Sequence, residues 1–185
     1  AKTVDQEESY DGRVTYTFRL RSAKWSDGVN VKAGDFVYAW QRLADPASRS
    51  PYAALLSVVA GYDEARASGD MTQLQVTAKN DNTLVVVLSG RYDWFLTEVC
   101  TSPATSPLRQ DVVQKLKEAA EERSQRAGGE TLRWWSDPAA LVCNGPYQAE
   151  SYTAGATLSA VANQRYYSTQ AGPRTLVFHF ADTAE

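Results

Sequence analysis

The hydrophobic pattern changes period several times along the chain, and each change marks an element. Val14, Tyr16, Phe18 and Leu20 alternate with Thr15, Thr17 and Arg19, which predicts a half-buried strand. Ser26-Asp27-Gly28 then turns the chain. From Ala33 the spacing becomes helical, because Phe36, Val37, Trp40, Leu43 and Ala44 line one stripe. Asp45-Pro46 closes that helix, since proline disfavours α geometry in the residue before it. Short helical segments are predicted over 53–59 and 62–67, stopped by Gly61 and by Ser68-Gly69-Asp70. Residues 73–88 read as a hairpin turned by Asn80-Asp81-Asn82.

Further on, Tyr92, Phe95, Leu96 and Val99 return to helical spacing, and Pro103 and Pro107 break it into an extended crossing over 101–108. A long helix over 111–126 presents Val112, Val113, Leu116, Ala119 and Ala120, and Gly128-Gly129 ends it. Its Lys117, Glu118, Glu121, Glu122 and Arg123 read as a solvated face laced with weak ion pairs. Three strands, 147–151, 157–162 and 175–180, close the pattern. The expected class is mixed α/β, with no repeat and no linker.

Composition narrows the function classes. At 185 residues, 43% of them hydrophobic, the chain can bury a real core. Net charge is −3 with Lys and Arg scattered, which offers no basic patch for nucleic acid. The longest apolar run, 84–88, is strand-sized, far below the ~20 residues of a membrane span. Residues 1–10 are polar and acidic, unlike a signal peptide. The single histidine, His179, sits in the last strand between Phe178 and Phe180, and there is no G-x-S-x-G elbow, P-loop, G-x-G-x-x-G or H-E-x-x-H. Catalysis is not expected, and no cofactor or metal site is read. Cys100 and Cys143 leave two readings open, a pair of buried thiols or one disulfide. A disulfide closing a loop of that length adds about 4 kcal/mol in the chain-entropy model.

Several stretches together resemble a known family. YTFRLR, AKWSDG, DFVYAWQRLADP and SPYA come first, then VTAKNDNTLVVVLSG, Trp94-Phe95-Leu96 leading to TSPL, and CNGPY before a strand. Trp134-Trp135-Ser136-Asp137-Pro138 and Asn163-Gln164-Arg165-Tyr166-Tyr167 extend the likeness, which spans 12–182. The chain resembles the extracellular solute-binding proteins of family 5, the oligopeptide- and dipeptide-binding receptors of ABC importers. One departure is Lys32, where the family's helix usually has a Thr cap.

The resemblance implies a periplasmic-binding-protein type II-like fold. It also implies that 1–185 is part of the N-terminal lobe of a larger exported protein, lacking its first strand and the second lobe. Within it, 10–142 is expected as a lobe subdomain and 143–185 as strands of the main sheet. The ligand is then a peptide held between lobes and passed to an ABC permease, outside the cell or in the periplasm. Membrane contact comes only through a lipid anchor of the parent.

By resemblance, Tyr52 of SPY and Asn144 of the NG loop face the ligand, and Gly145 permits close backbone approach. An amide such as that of Asn144 both donates and accepts, matching a peptide main chain. The family's packing also favours the disulfide Cys100–Cys143. The isolated chain should bind peptide weakly or not at all, because half the contacts are absent. A regulatory module reusing the fold, or a receptor for another solute, is the rival reading.

Overall fold

The computed structural model describes residues 1–126, 140–169 and 172–181. The chain divides into two compact units, Ala1–Arg21 with Lys32–Gln110, and Ser22–Val31 with Asp111–Glu185.

The first unit is built on a four-stranded antiparallel sheet. Its strands are β1 (Thr3–Glu8), β2 (Val14–Arg19), β3 (Val76–Asn80) and β4 (Thr83–Leu88), in the order β1-β2-β4-β3. Register sets Val14 opposite Leu88, Tyr16 opposite Val86 and Phe18 opposite Leu84, so the alternating positions of β2 and β4 share one buried face. A bulge between Ala78 and Asn80 interrupts the predicted hairpin. Helix α1 (Ala33–Ala44) contributes Trp40, Leu43 and Ala44 to the same core as its stripe predicts, joined by Ala39, while Phe36 and Val37 pack against it only partly buried.

The cap of α1 is supplied from inside the helix. Lys32 has no acceptor to offer, and instead the Asp35 carboxylate accepts from the Lys32 backbone N–H at 2.9 Å. The Lys32 ammonium pairs with Asp81 at 2.9 Å, which raises its pKa first through that hydrogen bond. At the other end, the Arg66 guanidinium donates to the Ala44 carbonyl at 2.6 Å, satisfying one orphan acceptor. Arg66 belongs to α2 (Tyr62–Ser68), which Gly69 ends as expected.

Four local expectations need correction. The polar stretch 1–10, which shows no strand pattern, contains strand β1. It is an edge strand exposed at every position, so burial imposes no alternation on its sequence. The helix expected over 53–59 shrinks to a 3₁₀ turn, Ala53–Leu56. After it, Val58, Val59 and Ala60 lie alongside β4, with Ala60 N–H donating to Val87 O and Ser89 N–H to Val58 O. The helical spacing around Phe95 becomes one π turn, Phe95–Val99, closed by Cys100 N–H donating to Phe95 O at 3.1 Å. The 101–108 crossing contains a 3₁₀ turn, Pro103–Thr105, capped by Ser102.

That last turn is anchored from within the core. The Trp40 indole donates to Thr105 O at 2.9 Å, and the buried Thr105 hydroxyl donates to Val99 O at 2.6 Å. Both polar groups are buried with partners, so the crossing is held without a desolvation penalty.

The second unit contains α3 (Gln110–Arg126) and a three-stranded antiparallel sheet of β5 (Tyr147–Thr153), β6 (Thr157–Ala162) and β7 (Thr175–His179), ordered β5-β6-β7. Val113 and Ala120 are the buried residues of α3, while Arg126 and Glu122 form an exposed i,i+4 pair at 3.6 Å. Such a pair contributes only about 0.3–0.5 kcal/mol, as a solvated face should. Residues 22–31 join this unit as a tight excursion with Trp25 buried and Gly28 at φ +95°. The Gly128-Gly129 stop and the Trp134–Pro138 link lie outside the described residues.

Candidate functional site

The loop 143–146 leads into β5 and is held by hydrogen bonds from two distant segments. Its first residue is held from the WSDG turn. Ser26 N–H donates to the Cys143 carbonyl at 2.7 Å, and Cys143 N–H donates back to Ser26 Oγ at 3.2 Å. Its last two residues are held from the end of β6. Asn163 Nδ2 donates to Gly145 O at 2.8 Å, and the Asn163 backbone N–H donates to Pro146 O at 2.8 Å. Asn163 is 3% exposed, and its Oδ1 accepts from Arg165 N–H at 3.0 Å.

Asn144 stands between these two clamps. It is half-buried, and among the described residues neither its backbone nor its side-chain amide has a hydrogen-bond partner. Gly145 is half-buried, and a Cβ there would meet only Tyr147 O at 3.9 Å, so that position has room. Tyr52 belongs to the first unit, at the start of the Ala53–Leu56 turn, and is 59% exposed. Its backbone N–H donates to Ser50 Oγ at 3.3 Å, which sets the turn geometry. Asn144 and Gly145 thus share one loop of the second unit, and Tyr52 lies in the first.

Comparison with known proteins gives this geometry a context. Residues 3–185 match the family described as bacterial extracellular solute-binding proteins, family 5 Middle. The chain belongs to that family.

Among family relatives, the periplasmic oligopeptide-binding protein OppA of Salmonella typhimurium is 35% identical over 164 residues, covering 86% of this chain and 27% of that protein. The probable deoxycholate-binding periplasmic protein YgiS of Escherichia coli is 32% identical over 173 residues, covering 88% and 28%. Among solved structures, Haemophilus influenzae OppA in complex with RPPGFSPFR superposes with a TM-score of 0.71 at 32% identity, covering 88% of this chain and 29% of that one. The chain therefore spans little more than a quarter of the length of these family 5 proteins. Its mixed α/β architecture is the partial lobe of their type II periplasmic-binding fold.

The disulfide expected between Cys100 and Cys143 is not formed; both are free thiols. Each has its own local partners, in different units. Cys100 packs against the first unit's hydrophobic core, and the Cys143 thiol donates to Tyr147 O at 3.2 Å. Burial pushes the Cys100 thiol up to about 12 and also raises that of Cys143, which disfavours the thiolate that disulfide exchange requires. We expect both to resist alkylation in the native protein at pH 8 and to react fully in urea. Rapid native labelling of Cys100 would contradict its burial.

The same shift has a pH signature. Well below pH 9 the Cys100 thiol is neutral in the folded and unfolded chains alike. Between 9 and 12 only the unfolded chain ionises, so stability falls as pH rises through that window. Cys100→Ala should flatten that decline.

His179 is exposed at the end of β7 opposite Thr157. Among the described residues no group of three or more His, Cys, Asp or Glu is placed to hold a metal, and no helix is long and apolar enough to cross a membrane. The roles of Ser26 and Asn163 were not legible in the sequence. Asn163 was visible there only as the start of an N-Q-R-Y-Y segment, and the signal that marks it is its near-complete burial as a polar residue.

Proposed function

We propose that this chain forms part of the ligand-capturing lobe of an exported peptide receptor that delivers peptides to an ABC permease. The observation that carries the reading is the likeness, over 88% of this chain, to Haemophilus influenzae OppA in complex with RPPGFSPFR. The amide of Asn144, unpaired among the described residues, supports it chemically, since one donor and one acceptor on the same side chain can bond a peptide's N–H and C=O whatever side chains flank them. Gly145 lets the main chain of a ligand approach closely, and the exposed ring of Tyr52 offers an apolar face with a polar tip. The protein works in the periplasm or at the cell surface, anchored, where it is anchored, through lipid on another part of the parent chain.

The test is made on the full-length parent. It is purified gently and denatured, and the released small molecules are identified by mass spectrometry. A ladder of mixed short peptides supports the reading, and an empty cleft counts against it. Substituting Asn144→Ala should then weaken peptide binding by about tenfold, or ~1–2 kcal/mol for a lost ligand hydrogen bond. An unchanged Kd would remove Asn144 from the site.

A second reading rests on YgiS. Its similarity to this chain is nearly that of OppA, although it is described as a probable deoxycholate-binding protein. Release of a single amphipathic steroid-like compound would keep the fold and replace the substrate.

A further inference from the structure

We propose that Asn163 and Ser26 are positioning residues that pre-set the ligand loop, Asn163 through the carbonyl of Gly145 and Ser26 through the backbone of Cys143. The inference rests on the reading that Asn144 and Gly145 face the ligand. Four hydrogen bonds hold the loop on both sides of Asn144: two from Ser26, 117 residues away in sequence, and two from Asn163, 18 residues from Gly145. A loop held this way does not need to be ordered when ligand arrives, so less conformational entropy is lost on binding.

The two ends of the Asn163 side chain do different work. Oδ1 accepts from Arg165 N–H and shapes the turn after β6, a role internal to 163–166 that a carboxylate performs equally well. Nδ2 donates to Gly145 O, and this bond alone reaches the loop from the side chain. Aspartate keeps the first interaction and loses the second, setting an oxygen against the Gly145 carbonyl. The pair of variants therefore separates positioning from turn formation.

The experiment compares Asn163→Ala, Asn163→Asp and Ser26→Ala with the native parent protein. Amide exchange of Cys143, Asn144, Gly145 and Tyr147 and the Kd and off-rate for the peptides the parent releases are read together. We expect both Asn163 variants to accelerate exchange in the loop. Peptide affinity should fall by about tenfold, mostly as a faster off-rate. Ser26→Ala, which keeps the Ser26 N–H bond to Cys143 O, should shift the same readouts in the same direction by less.

Native-like exchange and affinity in Asn163→Asp overturns the assignment of Asn163, because the turn alone then accounts for it. If Asn163→Ala and Asn163→Asp do not fold, unchanged loop exchange in Ser26→Ala overturns the clamp. Should the native parent bind no peptide, the proposed function fails while the exchange data still decide whether these residues fix the loop.

Discussion

Replacing Phe95 by alanine is expected to destabilise the protein by about 3–5 kcal/mol, a large share of the total stability of a domain this size. Phe95 is fully buried and is the shared neighbour of three aromatic rings, with centroids 5.0 Å from Tyr16, 6.3 Å from Trp40 and 6.5 Å from Phe18. Those rings come from strand β2 and helix α1, so deleting the side chain opens a cavity where sheet and helix meet. Neither partner can close it without breaking its own hydrogen bonds, and the full cavity term remains. Phe95→Leu keeps most of the volume and should cost about 1–1.5 kcal/mol. Urea unfolding followed by fluorescence measures both. A loss below about 1 kcal/mol for Phe95→Ala would show that the cluster is not the centre of the core.

Gly61→Ala is expected to cost about 3–4 kcal/mol although it adds a single methyl group. Gly61 has φ +79°, where an L side chain is strained by about 1–2 kcal/mol. A Cβ there would collide with Gln73 O and lie 2.9 Å from Gln73 C. These are backbone atoms, and they are not free to retreat. Gln75 N–H donates to Ala60 O at 2.8 Å, tying the two segments together beside the buried Leu74.

Gly69 provides the matched comparison, with φ +77° and nothing within 4 Å of its Cβ direction. Gly69→Ala should therefore cost only the conformational part, about 1–2 kcal/mol. The difference between the two midpoints in urea isolates the clash. Equal losses would mean that the Gln73 segment moves aside.

Residue pattern carried the local architecture far. The alternation in 14–20 and the stripe through Phe36, Trp40 and Leu43 specified β2 and α1, because each element buries one face and burial writes its period into the chain. Where burial does not act, the sequence was silent, as at the fully exposed strand β1. Where two geometries share a spacing, it was ambiguous. Phe95 and Val99 are spaced for an α turn and were found in a π turn.

The candidate site divides the same way. Asn144, Gly145 and Tyr52 stood out as residue types at element ends whose resemblance to a family gave them a role. The pairing of the two cysteines, by contrast, rests on count and likeness alone, and both are free, partly buried thiols with local partners of their own.

By itself, then, the sequence determined the class of fold, the main core positions and the family. These follow from short-range periodicity and from motifs that are contiguous in the chain. Only the tertiary structure decided that Ser26 and Asn163 grip the loop on either side of Asn144. It alone also showed that Phe95 joins sheet to helix and that Gly61 lies against Gln73. Such contacts join residues distant in sequence, and a hydrogen bond or a steric clash depends on where the backbone returns, which no local pattern records.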